Sequence, residues 1–497
     1  MTAPYDALIA HTRETVALMQ ADEMLGWDQE TMMPPRGAAM RAEQAAALAT
    51  AIHARATDPR VGDWLERIDA AALPGPAQRN VALVRRSYRR ATRLPQGLGA
   101  ALARATAAGV AAWAAARKAQ DAALLAPALT AIVALKRDEA QALAEPGQAP
   151  YDALLDDYEP GMSAATLLPM LEALRAPLSG LRAAIAARPA PPRLTGHYPA
   201  AAQLALARQV AQVFGYALDA GRIDLAAHPF CAGQGGDVRI TTRVDEADPL
   251  NCLLSTIHET GHAVYNQTMP EDTLYEPIGT HASMGVHESQ SRMMENQIAR
   301  SRTFAEFLQP LLARHFPDAA PADPQALHAA MNRVETGFIR TEADEVHYNL
   351  HVILRTRLES ALIDGSLAVA DLEEAWNSAF HADFGVAVPT PAQGVLQDIH
   401  WPKGLFGYFP TYALGNIYAA ELFAALRADL PDLDARLARG EMSGVLDWLA
   451  ARIHRPANTL PPAELIARAV GHAPTAAPLV AYLREKFGAL YGLDAAQ

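Results

Sequence analysis

The sequence predicts a mainly α-helical protein with one small β-sheet, and three observations carry that prediction. Apolar residues recur at three- and four-residue steps through most of the chain, the spacing that gives a helix one buried face. Prolines at 34–35, 95, 146, 150, 189–192, 317–324, 389–391 and 461–462 fall between those stretches, where helices must stop. Residues 237–243 alone break the pattern, with the two-residue period of a half-buried strand.

Taken in order, residues 11–25, 38–56, 82–92, 98–144, 163–187 and 201–214 read as helices. In 163–187 the stripe is Leu167, Leu168, Leu171, Leu174, Leu178 and Leu181, and Pro177 within it is expected to kink or split the helix. The alanine-rich run 97–135 is the most apolar. Arg104, Arg117, Lys118 and Asp121 interrupt it before about 18 uncharged residues accumulate, so it reads as a packed helix and not a membrane span. In 237–243 Asp237, Arg239, Thr241 and Arg243 alternate with Val238, Ile240 and Thr242, and Gly233, Gly235 and Gly236 supply a turn beforehand.

The 497 residues carry 42 Lys+Arg against 55 Asp+Glu, a formal charge of −13, which argues against nucleic acid or an anionic membrane as partner. With 51% hydrophobic and 20% charged residues, disorder is excluded as the general state. Two cysteines, Cys231 and Cys252, make no disulfide framework and suit a reducing cytoplasm. The first 25 residues include Asp6, Glu14, Asp22 and Glu23 and lack the basic start and apolar centre of a signal peptide. Length alone suggests about three domains at roughly 150 residues each. No repeat or linker cuts the chain, however, so a single domain over 1–497 is expected. Within it, 1–225 would form a helical groove wall or lid, and 226–497 the metal and substrate region.

The chemistry concentrates after the predicted strand. In His258-Glu-Thr-Gly-His262 the histidines are four apart, so on a helix both imidazoles face one point and can hold one metal ion, with Zn²⁺ suited at ~2.0–2.1 Å. Glu259 lies on the adjacent flank, placed to take a proton from water as general base. Gly261 costs a helix up to ~1 kcal/mol relative to Ala, which suggests close approach by something. A catalytic metal needs a third ligand and an open position. Glu288, 26 residues after His262, opens a second helix on which Glu288, Arg292 and Glu295 share a polar face; by spacing, His281, His287 and Glu295 compete with it.

These residues, with Trp27-Asp-Gln-Glu-Thr-Met-Met-Pro34 near the start, resemble the carboxypeptidase Taq family of zinc metallocarboxypeptidases over essentially the whole chain. Five blocks carry the resemblance: His228-Pro-Phe230 with Asp237-Val-Arg-Ile-Thr241, then His258-Glu-Thr-Gly-His262, His287-Glu-Ser-Gln-Ser-Arg292, Ile339-Arg-Thr-Glu-Ala-Asp-Glu345 and Gly394-Val-Leu-Gln-Asp-Ile-His-Trp401. The resemblance implies a helical fold with a deep groove, a homodimer, and removal of single residues from peptides with a free C-terminus, proline being a poor substrate there. It implies His258, His262 and Glu288 as ligands of one Zn²⁺ per subunit, with Co²⁺ a possible substitute, and Glu259 as base.

The remaining blocks offer groups that C-terminal hydrolysis needs. A free carboxylate calls for an arginine, and Arg340 and Arg239 are the candidates; the bland alternatives are ion pairs with Glu342, Asp344 or Glu345 for the first and with Asp237 for the second. Asp237, Thr241, Gln397 and Asp398 accompany them as substrate-binding candidates. The strand at 237–243 either accepts an extended peptide at its edge or simply buttresses the metal helix. His400 with Tyr408 or Tyr412 could stabilise the oxyanion, with Asp398 orienting His400, and Asp344 or Glu342 could hold the outer nitrogen of a metal histidine. The rival readings are a zinc endopeptidase or oligopeptidase, which would share every metal-site residue, and a non-catalytic helical metal-binding scaffold.

Overall fold

The computed structural model describes residues 3–95 and 97–493, which are mainly helical with one three-stranded sheet. The chain forms two compact units, each gathered from three segments. Met1–Thr92, Arg193–Met331 and Leu422–Ala473 make the first, and Arg93–Pro192, Asn332–Glu421 and Pro474–Gln497 the second. The division expected between 225 and 226 matches neither unit. Strand β1 (Gly221–Leu225) ends there, yet it is hydrogen-bonded to a strand beyond that point in the same unit.

In the first unit the sheet has the order β1-β3-β2, with β2 spanning Cys231–Gln234 and β3 Asp237–Thr242. β1 runs parallel to β3, Ile223 opposite Ile240, and β2 antiparallel, Gly233 opposite Val238. The predicted strand is therefore central, and with both edges paired it cannot accept a peptide strand. Even at the outer edge of β2, the Gly233 N–H donates to the Glu23 carboxylate at 3.1 Å and its carbonyl accepts from Asn266 Nδ2 at 2.9 Å. Val238 and Ile240 are fully buried, as the alternation requires. Elsewhere in this unit Tyr5, Leu8, Ile9, Val61, Leu65, Ile68, Leu73, Ala77 and Val81 form one apolar cluster under the first helix, Ala3–Thr31.

In the second unit the long helix expected over 98–144 is two, Leu98–Ala119 and Ala126–Leu143. Gln120 adopts φ 56° between them, and the Asp121 carboxylate accepts from the Ala123 N–H to start the next turn. Leu98–Ala119 is long and apolar enough to cross a membrane by length and composition alone. Its buried positions are only Leu98, Gly109 and Ala116, with Leu102, Val110 and Trp113 part-buried beside them. Pro177 does not split its helix: Ala164–Ala186 continues through Pro169 and Pro177. Leu167, Leu171, Leu174, Leu178, Leu181 and Ile185 are all buried along it, so tertiary packing outweighs the lost backbone bonds.

Candidate metal centre

The paired histidines sit on a helix whose start is fixed locally. Asp248 caps Pro249–Thr268 by accepting from the Leu250 N–H, and Pro249 supplies a first-turn residue that needs no donor. This helix lies against β3, where the Thr256 and Thr242 hydroxyls meet at 3.0 Å. The sheet therefore buttresses the metal helix. A second helix, Met284–Arg292, begins where Ser283 accepts from the Val286 N–H, and it crosses the first at Gly261. A Cβ on Gly261 would stand 2.5 Å from Ser291 Cα and 2.7 Å from the Gln290 carbonyl oxygen. The glycine thus admits the backbone that carries the third ligand.

Glu288 Oε2 lies 3.6 Å from His258 Nε2 and 3.3 Å from His262 Nε2. Three ligands bonded at ~2.0–2.1 Å in tetrahedral geometry are separated by about 3.3–3.4 Å, so these atoms already outline one face of a tetrahedron. Two imidazoles and a carboxylate suit a borderline divalent ion such as Zn²⁺, and three protein donors leave the fourth position open. Among the described residues these three form the one group with metal-ligand spacing.

Charge and burial act differently on the two carboxylates of the site. Arg292 Nε donates to Glu288 Oε1 at 2.7 Å and leaves Oε2 to face the imidazoles. Burial alone would raise the Glu288 carboxyl, but Arg292, His258 and His262 outweigh it and keep the group well below the usual carboxylate range. Glu259 is buried beside the same histidines. There burial wins and pushes its pKa up, the histidines offsetting only part, which makes it a stronger proton acceptor than an exposed glutamate. Cys231 is a neutral thiol, pushed up by burial and then by Glu259 and Glu23.

Of the competing ligands, His281 and His287 stand behind the site. His287 stacks on His262 with ring centres 4.3 Å apart, and its Nε2 lies 3.0 Å from Asn266 Oδ1. Burial keeps both neutral, His281 pulled down to about 4 and His287 well below the usual imidazole range. Glu295 has the role that sequence reasoning offered to Asp344 or Glu342. Its Oε2 lies 2.9 Å from His258 Nδ1, and Arg300 Nη2 donates to its Oε1 at 2.9 Å. Asp344 instead caps Glu345–Asp364 and pairs with His347 Nδ1 at 2.8 Å. The signal for Glu295 was its shared face with Glu288 and Arg292; Met293–Ala299 then widens into a π-type turn. Glu295→Ala is expected to weaken metal affinity about 10- to 100-fold while the fold persists, checked by competition with a chromogenic chelator. Unchanged affinity would remove Glu295 from the site.

The other candidates fall into two places. In the first unit Arg239 makes a two-pronged pair with Asp237, at 2.8 and 2.7 Å, and lies over the Trp27 ring at 4.3 Å. Thr241 is fully buried, its hydroxyl accepting from the Phe230 N–H at 2.8 Å. In the second unit Arg340 donates to Asp398 Oδ1 from Nε at 3.1 Å and from Nη2 at 2.9 Å, and lies over the Tyr412 ring at 4.7 Å. Arg355, which sequence reasoning missed, donates to Asp398 Oδ2 at 2.6 Å and is fully buried. Asp398 thus serves two arginines. His400 Nδ1 stands 3.8 Å from it, while His400 Nε2 and the Tyr412 hydroxyl are 3.2 Å apart. Burial holds His400 neutral, near 3. Gln397 is committed to backbone: its Oε1 accepts from the Arg340 N–H at 2.9 Å and its Nε2 donates to the Phe338 carbonyl at 3.0 Å. Tyr408 is half-buried, its ring 5.4 Å from that of Tyr412.

Comparison with known proteins adds an independent line. The family model for carboxypeptidase Taq (M32) metallopeptidases matches residues 7–487. The chain belongs to the carboxypeptidase Taq (M32) family. It is 43% identical to thermostable carboxypeptidase 1 of Thermus thermophilus, over 99% of both chains. It is 34% identical to carboxypeptidase 1 of Bacillus subtilis, over 97% of this chain and 96% of the other. Among solved structures, the M32 carboxypeptidase of Deinococcus radiodurans superposes with a TM-score of 0.95 at 38% identity, covering 99% of this chain and all of the other. Trypanosoma cruzi metallocarboxypeptidase 1 superposes with a TM-score of 0.95 at 32% identity, over 97% and 99%. The M32 match contains both histidines and Glu288, and the protein is a metallocarboxypeptidase of this type.

Proposed function

We propose that this M32 enzyme is a zinc carboxypeptidase that removes single residues from peptides with a free C-terminus, with broad specificity and slow action on C-terminal proline. The observation that carries the C-terminal reading is the Arg340–Asp398–Arg355 cluster. Two buried guanidinium groups share one carboxylate, leaving one net positive charge in a dry environment. A buried charge of that kind is costly unless paired, and a substrate carboxylate is the anion that would neutralise it. Arg340 is the residue assigned to that contact. Asp398 fixes the angle of its guanidinium, and the Asp237 pair makes Arg239 the weaker candidate. Asp237, Thr241 and Gln397 support the backbone around the binding residues.

His258, His262 and Glu288 would hold Zn²⁺, with Co²⁺ able to replace it; such an ion supplies Lewis acidity to the scissile carbonyl and lowers the proton affinity of water. Glu259 takes the proton from the attacking water and passes it to the leaving amine. His400, neutral at working pH, and the hydroxyl of Tyr408 or Tyr412 donate to the developing oxyanion. The reading also carries a homodimer, from the family resemblance, and a cytoplasmic setting, from the two free cysteines.

The test is mass spectrometry of a free-acid peptide and its C-terminal amide, with and without chelator. The expected result is a ladder of single-residue losses from the free acid only, abolished by chelator. Internal fragments from both peptides would make the enzyme an endopeptidase and remove Arg340 from carboxylate binding.

A further inference from the structure

The helix Glu345–Asp364 carries a polar residue at every fourth position in its buried face: His347, His351, Arg355 and Glu359, at most 1% exposed. Such a stripe in an otherwise apolar interior needs a use. Arg355 holds Asp398, as described. Glu359, one turn on, is fully buried and accepts three hydrogen bonds from neutral donors. The Tyr151 hydroxyl donates to Oε1 at 2.7 Å, the Gly407 N–H to Oε1 at 3.1 Å and Trp401 Nε1 to Oε2 at 3.0 Å. Two of these donors belong to one loop, and each is the chain neighbour of a proposed catalytic group: Trp401 follows His400, and Gly407 precedes Tyr408.

The loop is pinned on its other side as well. Gly407 has φ 83°, and a Cβ there would lie 2.7 Å from the Leu154 carbonyl carbon, so the loop presses directly on the Leu154–Leu155 backbone. That backbone belongs to the short helix Pro150–Leu155, which also supplies Tyr151. Helix, short helix and loop therefore meet on one carboxylate.

We infer that Glu359 is a positioning residue for hydrolysis, fixing Trp401 and Gly407 and through them the His400 and Tyr408 side chains. The inference rests on the proposed role of those two side chains in turnover. Burial pushes the Glu359 pKa up to about 7, its three donors offsetting only part, and none of those partners is a cation. A carboxylate is the right device for gripping several donors at once, and here both oxygens accept.

Glu359→Gln tests it. The amide keeps one acceptor oxygen but turns an NH₂ toward the Trp401 N–H, so one grip is lost without a change of size. The expected result is a kcat lower by about 10- to 100-fold with KM within about twofold and metal content unchanged. In a His400→Ala, Tyr408→Phe background the same substitution should cost little more, because it acts through those groups. An unchanged kcat, or a full additive loss in that background, overturns the inference. If the background variant itself keeps the parental kcat, the loop has no part in turnover, and the proposed oxyanion role fails first. Should Glu359→Gln not fold, Trp401→Phe removes the same hydrogen bond from the other side, and a parental kcat there overturns the inference equally.

Discussion

Glu259→Gln is expected to leave the protein folded and metal-loaded while kcat falls by about 10²- to 10⁴-fold. The substitution keeps the volume and the hydrogen-bonding shape of the side chain. What it removes is the basic oxygen, in a position where burial has pushed the pKa above that of an exposed glutamate. Glu259 is not among the three atoms that outline the metal position, so metal content should stay at the parental level. Elemental analysis and single-turnover kinetics on a free-acid dipeptide read the two quantities separately. Substantial turnover in the loaded variant would mean that another group accepts the proton.

The second large effect is expected from Glu288→Ala, which should lower metal affinity by more than about 100-fold, beyond the loss from an outer-shell partner. The side chain supplies the third donor, and its other oxygen absorbs the charge of Arg292 at 2.7 Å. Without it, the Arg292 guanidinium faces two imidazoles across a buried space, and its repulsion adds to the missing ligand. Dialysed protein should be metal-poor and inactive, with part of the activity returning in excess Zn²⁺. Competition with a chelator measures the affinity. Parental affinity would shift the third-ligand role to Glu295, the nearest alternative carboxylate on that face.

Much of the site was readable before any coordinates. The helices over 38–56 and 201–214 and the strand at 237–243 fall where periodicity puts them, within a residue or so. His258 and His262 converge because the helical repeat places every fourth residue on one face. Gly261 was legible as a close approach, though not what approached. Misreadings came where several local choices were open. Pro177 was expected to kink or split its helix, and the split does not occur because six buried residues hold the helix together across it. Of the two roles left open for the 237–243 strand, the peptide-accepting edge falls away because β1 and β2 pair with it on both sides.

The sequence by itself determined most of the elements, the paired imidazoles and the family, since each is set by residues close in the chain or by short blocks in order. Tertiary structure alone decided who meets whom at long range. It brought Glu288 onto the histidines across the Gly261 contact, and set Glu295 against His258 over a separation of 37 residues. It also gave Asp398 to Arg340 and Arg355, 58 and 43 residues away, instead of to His400 beside it. The physical reason is the same in each case. A buried charge takes the partner that packing delivers at hydrogen-bond distance, and local propensity carries no record of which distant segment that is.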